Sequence, residues 1–313
     1  MKNRWSESDC PTDVALDCCV YGSRLLGSDR ALVLHGGGNT SVKDNWVDIT
    51  GQVVSALYVK GSGWDLASIE LQGFTPLPLD RLNDLLALDS LSDADMVGEL
   101  SLARLRHDAP QPSVETLLHA FLPYPAVQHS HADVILGLTN VSCADETLDE
   151  VYGDDVVVVP YVMPGFDLAK AVQECWDDQA HAGTIGMVLR HHGLFTFGDT
   201  TREAYSRHVD LISRAEMYLD RVSPYGSAPP SDETKFVLAE LAALRRSLTD
   251  AAGRPMLVSR HYDPAIARFV SRSDLESLTN RGPLTPDHII RTKRAPMVGR
   301  DVDGFVEAYK TYF

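Results

Sequence analysis

Short apolar segments of strand length alternate with helical segments through the first 222 residues, and this alternation most limits the folds available to the chain. Strand candidates are Ala126–Ser130, Val156–Val159 and Gly186–Arg190, the last followed by LFTFG. Helical segments at about residues 132–139 and 168–180 separate them. Helices and strands that alternate in this way pack in layers, so the sequence predicts a mixed α/β fold.

The rest of the chain extends this pattern and then departs from it. Further helices are predicted at about residues 14–27, 64–70 and 93–107, and further strands at 47–49 and 56–59. A long helix opens after Thr200, which has capping-box spacing to Glu203, and its apolar stripe comprises Tyr205, His208, Ile212, Ala215 and Leu219. Residues 223–234 are rich in Pro, Gly and Ser and predict a linker. We therefore expect an α/β catalytic domain over residues 1–222 and a mainly helical extension over 223–313, serving as a lid or an interface.

The net charge of the chain argues against nucleic acids and anionic membranes as partners. The 313 residues carry a formal net charge of −16, whereas nucleic acids and anionic membranes require clustered Lys and Arg. The negative net charge does not exclude a small anionic substrate, because a few local hydrogen-bond donors can bind a phosphate inside an acidic protein.

The cysteines and the N-terminus bear on the compartment. The five cysteines form no C-x-x-C pair, which favours reduced thiols in a cytoplasm over a disulfide framework or a Cys-rich zinc site. The N-terminal segment MKNRWSESDC has no apolar signal core, and no apolar run reaches the roughly 18 residues that span a bilayer. We expect a cytoplasmic protein without a membrane segment.

Two histidines at the end of a strand candidate indicate a metal site. Side chains two residues apart on a strand share a face, so His129 and His131 can reach one ion. Catalytic zinc sites take three protein ligands and leave one position open. The third ligand is sought in the pair His191 and His192, of which at most one faces the same ion.

A carboxylate and two glycine-rich segments add to this site. Glu115, in PSVETLLHAFL, could ligate the ion, act as a base, or only stabilise a helix start. HGGGNTSVK and VKGSGWDL match neither the dinucleotide fingerprint nor the Walker loop. Glycine lets backbone N–H groups approach an anion, so the two segments could bind a phosphate or could be ordinary tight turns.

The motifs GGGNTSVK, KGSGWD, PSVE, HSHA and HHG occur in one order over roughly residues 14–222. In this order they resemble the class II aldolase/adducin family. PSVETLLHAFLP and TPDHIIRTKRAP are similar to the aldolase half of bifunctional rhamnulose-1-phosphate aldolase/short-chain dehydrogenase proteins, without a G-x-G-x-x-G dehydrogenase half. The resemblance implies a three-layer α/β/α sandwich around a mainly antiparallel sheet, assembled as a homotetramer with sites between subunits.

The resemblance also implies roles for individual residues. The metal ligands fall on His129, His131 and His192, joined in the resting state by Glu115, which then acts as acid/base. Zinc is the default ion, and Mn²⁺, Co²⁺ and Fe²⁺ are compatible with such ligands. The phosphate site falls on Gly38, Asn39, Ser41, Gly61, Ser62, Gly63 and Ser113. Val114 replaces a serine of the family's Ser-Ser-Glu run, which removes one donor.

The reaction implied is retro-aldol cleavage of a ketose 1-phosphate, such as rhamnulose 1-phosphate, to dihydroxyacetone phosphate and an aldehyde. A divalent ion stabilises the enediolate as a Lewis acid, and Glu115 exchanges the proton at its carbon. The second acid/base is assigned to His288 or to a C-terminal tyrosine, Tyr309 or Tyr312.

Other functions are compatible with parts of the pattern. Related members decarboxylate or epimerise sugar acids or sugar phosphates, because the same ion stabilises an enolate whichever group leaves. An adducin-like interaction module predicts lost metal ligands, and a structural metal domain predicts a closed ligand shell. The presence of all three histidines and the glutamate disfavours the first, and the two glycine-rich segments that could bind a phosphate disfavour the second.

Overall fold

Seven strands form one sheet in a computed structural model that describes residues 1–10, 14–222 and 237–312. The strands are β1 (Asn39–Val47), β2 (Val53–Lys60), β3 (Phe74–Pro78), β4 (Ala126–Ser130), β5 (Val156–Val159), β6 (Gly186–Leu189) and β7 (Gly193–Gly198). Their order is β3-β2-β1-β4-β7-β6-β5, and β5 with β6 forms the single parallel pair of these described strands. The sheet is therefore mainly antiparallel, as predicted.

Eight helices of the described chain accompany this sheet. They are α1 (Ala15–Gly27), α2 (Leu79–Leu86), α3 (Asp93–Leu102), α4 (Thr116–Phe121), α5 (Asp133–Thr139), α6 (Ala144–Tyr152), α7 (Phe166–Gln179) and α8 (Thr201–Val222). Helices α1, α5, α6 and α8 contribute to one apolar cluster, and α2, α3, α4 and α7 to another. The strands supply both clusters with alternate residues, for example Leu194 to the first and Phe195 to the second. This arrangement confirms the predicted three-layer sandwich.

Local signals explain where α8 begins. The Thr200 hydroxyl accepts the Glu203 N–H at 3.2 Å, and the Glu203 carboxylate accepts the Asp199 N–H at 2.8 Å. These bonds satisfy donors that a helix start leaves unpaired. The predicted stripe of α8 faces the core, since Tyr205, His208, Ile212 and Ala215 are buried.

The chain divides into two compact units. The first comprises Met1–Pro224 and Leu284–Ile290, and the second comprises Tyr225–Pro283 and Arg291–Phe313. Further helices are α9 (Leu238–Ala252), α10 (Pro264–Val270), α11 (Leu275–Thr279), α12 (Pro286–Ile289) and α13 (Val302–Tyr312). The extension is thus mainly helical, as predicted, although α12 belongs to the first unit. The predicted linker, residues 223–234, lies outside the described residues, so the boundary at 222 stays a prediction.

Helix ends within the second unit follow capping rules. The Asp263 carboxylate accepts the N–H groups of Ala265 and Ile266, each at 2.8 Å, and Pro264 occupies the first position of α10. Helix α9 ends at Gly253 in the left-handed conformation, with φ of 63°. Across residues 1–10, 14–222 and 237–312, no helix has both the length and the apolar character needed to cross a membrane.

Several elements differ from the sequence predictions. Glycine content predicts a loop over HGGGNTSVK, whereas Asn39–Ser41 belong to β1, because they pair with β4. The helix predicted at about 64–70 is two short 3₁₀ turns, Leu66–Ser68 and Leu71–Gly73. Helix α3 stops at Leu102, and the Arg104 side chain then bonds the carbonyls of Ser101 and Ala109. The elements β3, α2 and α6 are absent from the predictions.

Candidate metal centre

The central strands of the sheet position two of the predicted ligands. His129 lies near the end of β4, where it pairs with Asn39 of β1 on one side and with Phe195 of β7 on the other. Its imidazole is buried and stacks on the Phe195 ring at a centroid distance of 4.0 Å. His131 follows the last residue of β4, and its ring centroid lies 4.8 Å from that of His129.

The third predicted ligand lies in the turn between β6 and β7. His191 adopts a left-handed conformation there, with φ of 58°, and His192 follows it. A side chain at Gly193 would place its Cβ 2.2 Å from the Ser130 carbonyl oxygen, so this close approach requires glycine. The His192 ring centroid consequently lies 5.1 Å from those of both His129 and His131. One ligand atom from each of the three histidines lies within 4.8 Å of the others.

Glu115 approaches the histidines from the helix layer that contains α4. It occupies the N-cap position of α4 and is buried. Its Oε1 lies 3.1 Å from His192 Nε2, and its Oε2 lies 3.5 Å from His129 Nε2. Burial by itself raises the pKa of Glu115, but the adjacent histidines outweigh burial and hold that pKa well below its ordinary value. We therefore treat the side chain as a carboxylate.

The hydrogen bonds of two predicted ligands, His129 and His131, define which of their ring nitrogens carry no proton. His129 Nδ1 lies 3.0 Å from the Leu194 carbonyl, and His131 Nδ1 lies 2.6 Å from Asp287 Oδ1. Both oxygens can only accept, so each Nδ1 carries the proton and each neutral ring has a bare Nε2. Burial supports the neutral form of His129 by holding its pKa well below the ordinary value.

Several acceptors of the site have no hydrogen-bond donor. Among the described residues, His129 Nε2, His131 Nε2 and Glu115 Oε1 are buried without a hydrogen-bond partner. His192 Nδ1 is also unpartnered there, but Nε2 is the nitrogen of His192 that faces Glu115. Buried unpaired acceptors that converge on one point cost free energy unless something positive binds them. Imidazole nitrogens and a carboxylate oxygen are metal-ligating atoms that suit Zn²⁺ and related ions. The residues present therefore fit a divalent metal ion.

A buried hydrogen-bond chain holds the carboxylate in place. Asn39 Nδ2 donates to Glu115 Oε2, which leaves Asn39 Oδ1 to accept from His119 Nε2. His119 Nδ1 then accepts from the Ser41 hydroxyl at 2.7 Å. Burial lowers the pKa of His119 to about 4, so the ring stays neutral and the direction of the chain is fixed. The sequence analysis overlooked His119, because nothing local distinguishes it from a core histidine.

The residues predicted for phosphate binding have varied surroundings. Gly38, Asn39, Ser41 and Gly61 are buried or backbone-paired, whereas Ser62 and Gly63 are exposed. The N–H groups of Gly61 and Ser62 donate to the carbonyls of Gly73 and Gln111, so neither is free for an anion. The Ser113 hydroxyl oxygen accepts from Asn39 Nδ2 and the Glu115 N–H, each at 3.2 Å.

Lys60 adds a positive charge that the sequence analysis did not select. Its side chain is buried, and Nζ donates to the Gly36 carbonyl at 2.9 Å, joining the two glycine segments. Burial lowers the pKa of Lys60 to about 8, although Glu115, Asp287 and Asp65 act to raise it. Its position directly before Gly61 is the sequence signal that could have selected it.

The three candidates for a second acid/base, His288, Tyr309 and Tyr312, are divided between the two units. His288 belongs to α12 of the first unit, and its Nδ1 lies 2.7 Å from the Thr285 hydroxyl. Tyr309 belongs to α13 of the second unit, where Lys293 Nζ lies 3.8 Å from its ring centroid. The role assigned to each residue stays a prediction.

Comparison with known proteins adds independent findings. The family described as "Class II Aldolase and Adducin N-terminal domain" matches residues 19–219, and "Aldolase class II, second domain" matches residues 236–313. The chain is 33% identical to "Uncharacterized oxidoreductase YuxG" of Bacillus subtilis (strain 168), covering 100% of this chain and 49% of YuxG. It thus spans about half the length of the curated relative it matches.

Solved structures add to these matches. The N-terminal class II aldolase domain of a conserved protein from Thermoplasma acidophilum is 48% identical, with a TM-score of 0.65 over 70% of this chain and 99% of that one. The L-fuculose-1-phosphate aldolase from Thermus thermophilus is 20% identical over 64% of this chain and 94% of that one, with a TM-score of 0.43. The match over residues 19–219, together with the sheet and its helix layers, places the chain in the class II aldolase and adducin family.

Proposed function

We propose that the chain is a divalent-metal-dependent aldolase that cleaves a ketose 1-phosphate resembling rhamnulose 1-phosphate. The products are dihydroxyacetone phosphate and an aldehyde. The observation that carries the proposal is the convergence of three imidazoles and the Glu115 carboxylate, among which His129 Nε2, His131 Nε2 and Glu115 Oε1 are buried without a hydrogen-bond partner. Membership of the family supports an enzyme of the aldolase, epimerase or decarboxylase type.

The histidines are proposed to hold the ion and to leave its remaining positions to substrate oxygens. His129, His131 and His192 bind as neutral rings, so the ion keeps its full positive charge. When bound, the ion supplies Lewis-acid stabilisation of negative charge that develops on the substrate carbonyl oxygen. Zinc is the ion that we expect, since imidazoles favour it among several divalent metals.

Glu115 is proposed to move the proton at carbon. Cleavage removes the proton of the C4 hydroxyl, breaks the C3–C4 bond and leaves its electron pair on the three-carbon fragment, while the departing carbon becomes an aldehyde. Glu115, which takes up a proton from solvent after substrate binds, then gives that proton to C3 of the fragment and returns to the carboxylate form. The chain Asn39–His119–Ser41 orients the carboxylate for this transfer. His288 and Tyr309 remain our candidates for accepting the hydroxyl proton.

The full chain, loaded with zinc, is to be incubated with L-rhamnulose 1-phosphate and with L-fuculose 1-phosphate. Dihydroxyacetone phosphate is measured by NADH oxidation through added glycerol-3-phosphate dehydrogenase. We expect Glu115→Gln to lower turnover by about 100- to 10,000-fold, the range found for loss of a general acid/base. His129→Ala should remove turnover together with bound metal.

Matched variants separate the site from the fold. Glu203→Gln changes a glutamate that caps α8, and His208→Gln changes a buried histidine whose ring nitrogens are both bonded. Both should keep the turnover of the unaltered protein. No product from a protein that carries one zinc per chain, with either sugar phosphate, would refute the aldolase assignment.

A second candidate function is decarboxylation or epimerisation of a sugar acid. It is favoured by the engaged N–H groups of Gly61 and Ser62 and by the apolar Val114 beside Glu115, which together leave fewer donors for a phosphate. Incubation with a panel of aldonic and ketonic sugar acids, followed by ¹³C NMR, distinguishes these outcomes. Loss of the carboxyl signal indicates decarboxylation, and a new diastereomer indicates epimerisation.

The proposal extends to the assembly, the location and the ligand of the protein. We expect a homotetramer located in the cytoplasm, with a small sugar phosphate or sugar acid as its ligand. Light scattering on the purified full chain tests the assembly. A monomeric mass accompanied by full turnover would contradict a site that is shared between subunits.

A further inference from the structure

A short segment distant in sequence contacts His131, one of the predicted metal ligands. Leu284–Ile290 belongs to the first unit, although the residues on both sides of it belong to the second. Within it, Thr285 and Asp287 are both buried, and Asn140 Nδ2 donates to the Leu284 carbonyl at 3.0 Å. The segment is therefore built into the first unit rather than resting on its surface.

Both oxygens of the Asp287 carboxylate have defined partners. Oδ2 accepts the Leu34 N–H at 2.7 Å, and Oδ1 lies 2.6 Å from His131 Nδ1. The carboxylate also fills the space beside Gly37, where an added Cβ would lie 1.8 Å from Oδ1. Asp287 thus occupies a fitted position, and its contact with His131 is not a chance encounter of surface side chains.

The three histidines differ in what holds their second nitrogen. His129 is held by the Leu194 carbonyl, whereas His192 Nδ1 has no partner among the described residues. His131 alone of the three is held by a charged group, and it is also the least buried of them, with 11% of its side chain exposed. A carboxylate that receives the Nδ1–H of a ligand fixes the ring orientation and increases the basicity of Nε2.

We propose that Asp287 is the positioning residue of His131, so that the 284–290 segment completes the metal site. This inference rests on the metal-centre part of the proposed function and does not depend on which bond the enzyme breaks. The negative charge of Asp287 adds to that of Glu115 and balances a divalent ion held by neutral imidazoles. The segment is thereby tied to metal affinity and not only to folding.

Two substitutions of Asp287 distinguish a positioning role from a packing role, because the two roles predict different rankings of the loss of metal affinity. Asp287→Ala removes the contact. Asp287→Asn keeps the shape, but the Leu34 N–H requires the amide oxygen, which turns the amide NH₂ toward His131. His131 Nδ1 must then accept, its proton moves to Nε2, and the ligand atom is blocked. A positioning role predicts that Asn is at least as damaging as Ala, whereas a packing role predicts that Asn is milder.

The measurement is the affinity of the full chain for Zn²⁺ and Co²⁺ by chelator competition, with the visible absorption spectrum of the Co²⁺ form. We expect both variants to bind about 10- to 100-fold more weakly than the unaltered protein and to change the Co²⁺ spectrum. Gly37→Ala, which displaces the carboxylate, should reproduce the loss and add little to Asp287→Ala. Circular dichroism of the metal-free proteins verifies that each variant folds.

Asp133→Asn is the matched control. Its carboxylate interacts electrostatically with Asp287 and His288, and no hydrogen bond from it to a ligand occurs in the described residues. It should leave affinity and spectrum unchanged. Equal affinities for the unaltered protein and both Asp287 variants would overturn the inference while leaving the proposed aldolase intact. If metal binding depends on Asp287 but no sugar phosphate is cleaved, the inference about Asp287 stands and the proposed aldolase function is refuted.

Discussion

Two histidines that flank Ser130 in space are equally buried but differ in their hydrogen bonds. His208 of α8 has Nε2 at 2.7 Å from the Ser130 hydroxyl and Nδ1 at 2.9 Å from the Thr196 hydroxyl. His129 of β4 has only Nδ1 bonded, and its Nε2 faces Glu115. Burial therefore does not identify a functional histidine. A buried nitrogen without a partner that lies among other acceptors is the better indication of a binding site.

The largest expected effect is on metal binding. His129→Ala should bind zinc more weakly by more than the roughly 10- to 100-fold that loss of a ligand's supporting partner costs. His208→Gln should leave affinity unchanged, because both nitrogens of His208 are used within the protein. Metal content after dialysis measures both. Equal metal loss in the two variants would remove the distinction between the two histidines.

Acid should affect the folded protein through His208. Burial lowers the pKa of His208 from 6.5 to about 3, so between these values the unfolded chain binds one more proton than the folded chain. Stability from this group is complete above pH 6.5 and is lost as the pH falls, by about 1.4 kcal/mol per pH unit. Urea unfolding of unaltered and His208→Gln proteins between pH 6.5 and 4.5 measures the difference in slope. Parallel slopes would mean that His208 is already protonated in the folded state.

Ser130→Ala would make His208 resemble His129. Loss of the hydroxyl leaves the buried His208 Nε2 without its partner, which should lower the free energy of unfolding by about 1–3 kcal/mol. No second metal site should appear, since a lone nitrogen lacks converging ligands. Urea unfolding gives the first result and zinc stoichiometry the second. A second bound zinc would show that one unsatisfied nitrogen is sufficient.

At the far end of the chain that holds Glu115, an effect on stability alone is expected. Ser41→Ala removes the hydroxyl that donates to His119 Nδ1, at a cost of about 1–3 kcal/mol in unfolding free energy. Zinc affinity should be unchanged, because Ser41 does not face the ligand nitrogens. Thermal and urea unfolding, alongside chelator competition, check both statements. A large loss of zinc affinity would place Ser41 within the centre itself.

The residues that sequence analysis could find are those with local signals. His129 and His131 belong to one strand end, and their spacing alone places them together. The strand β4, the stripe of α8 and the layered fold follow from periodicity in the same way. The roles assigned to these side chains remain proposals, because local spacing carries no information on what a ring nitrogen contacts.

Asp287 and His119 illustrate what sequence analysis missed. Asp287 meets His131 across 156 positions, and its own neighbourhood, TPDHII, predicts only a capped helix start. The apolar surroundings of His119 are those of any core residue. Long-range pairings of this kind are specified by the packing of the whole unit, so the sequence analysis selected His288 and overlooked the aspartate beside it.

Val114 and Glu115 are adjacent, yet one is 47% exposed and the other is buried in the centre. A side chain at position 114 can therefore be exchanged without repacking Glu115. Under the proposed function, Val114→Ser adds a hydroxyl donor beside Glu115, and a saturation library at this position tests whether the side chain there influences substrate preference. The fold thus places a side chain that can be varied directly beside one whose position the packing fixes.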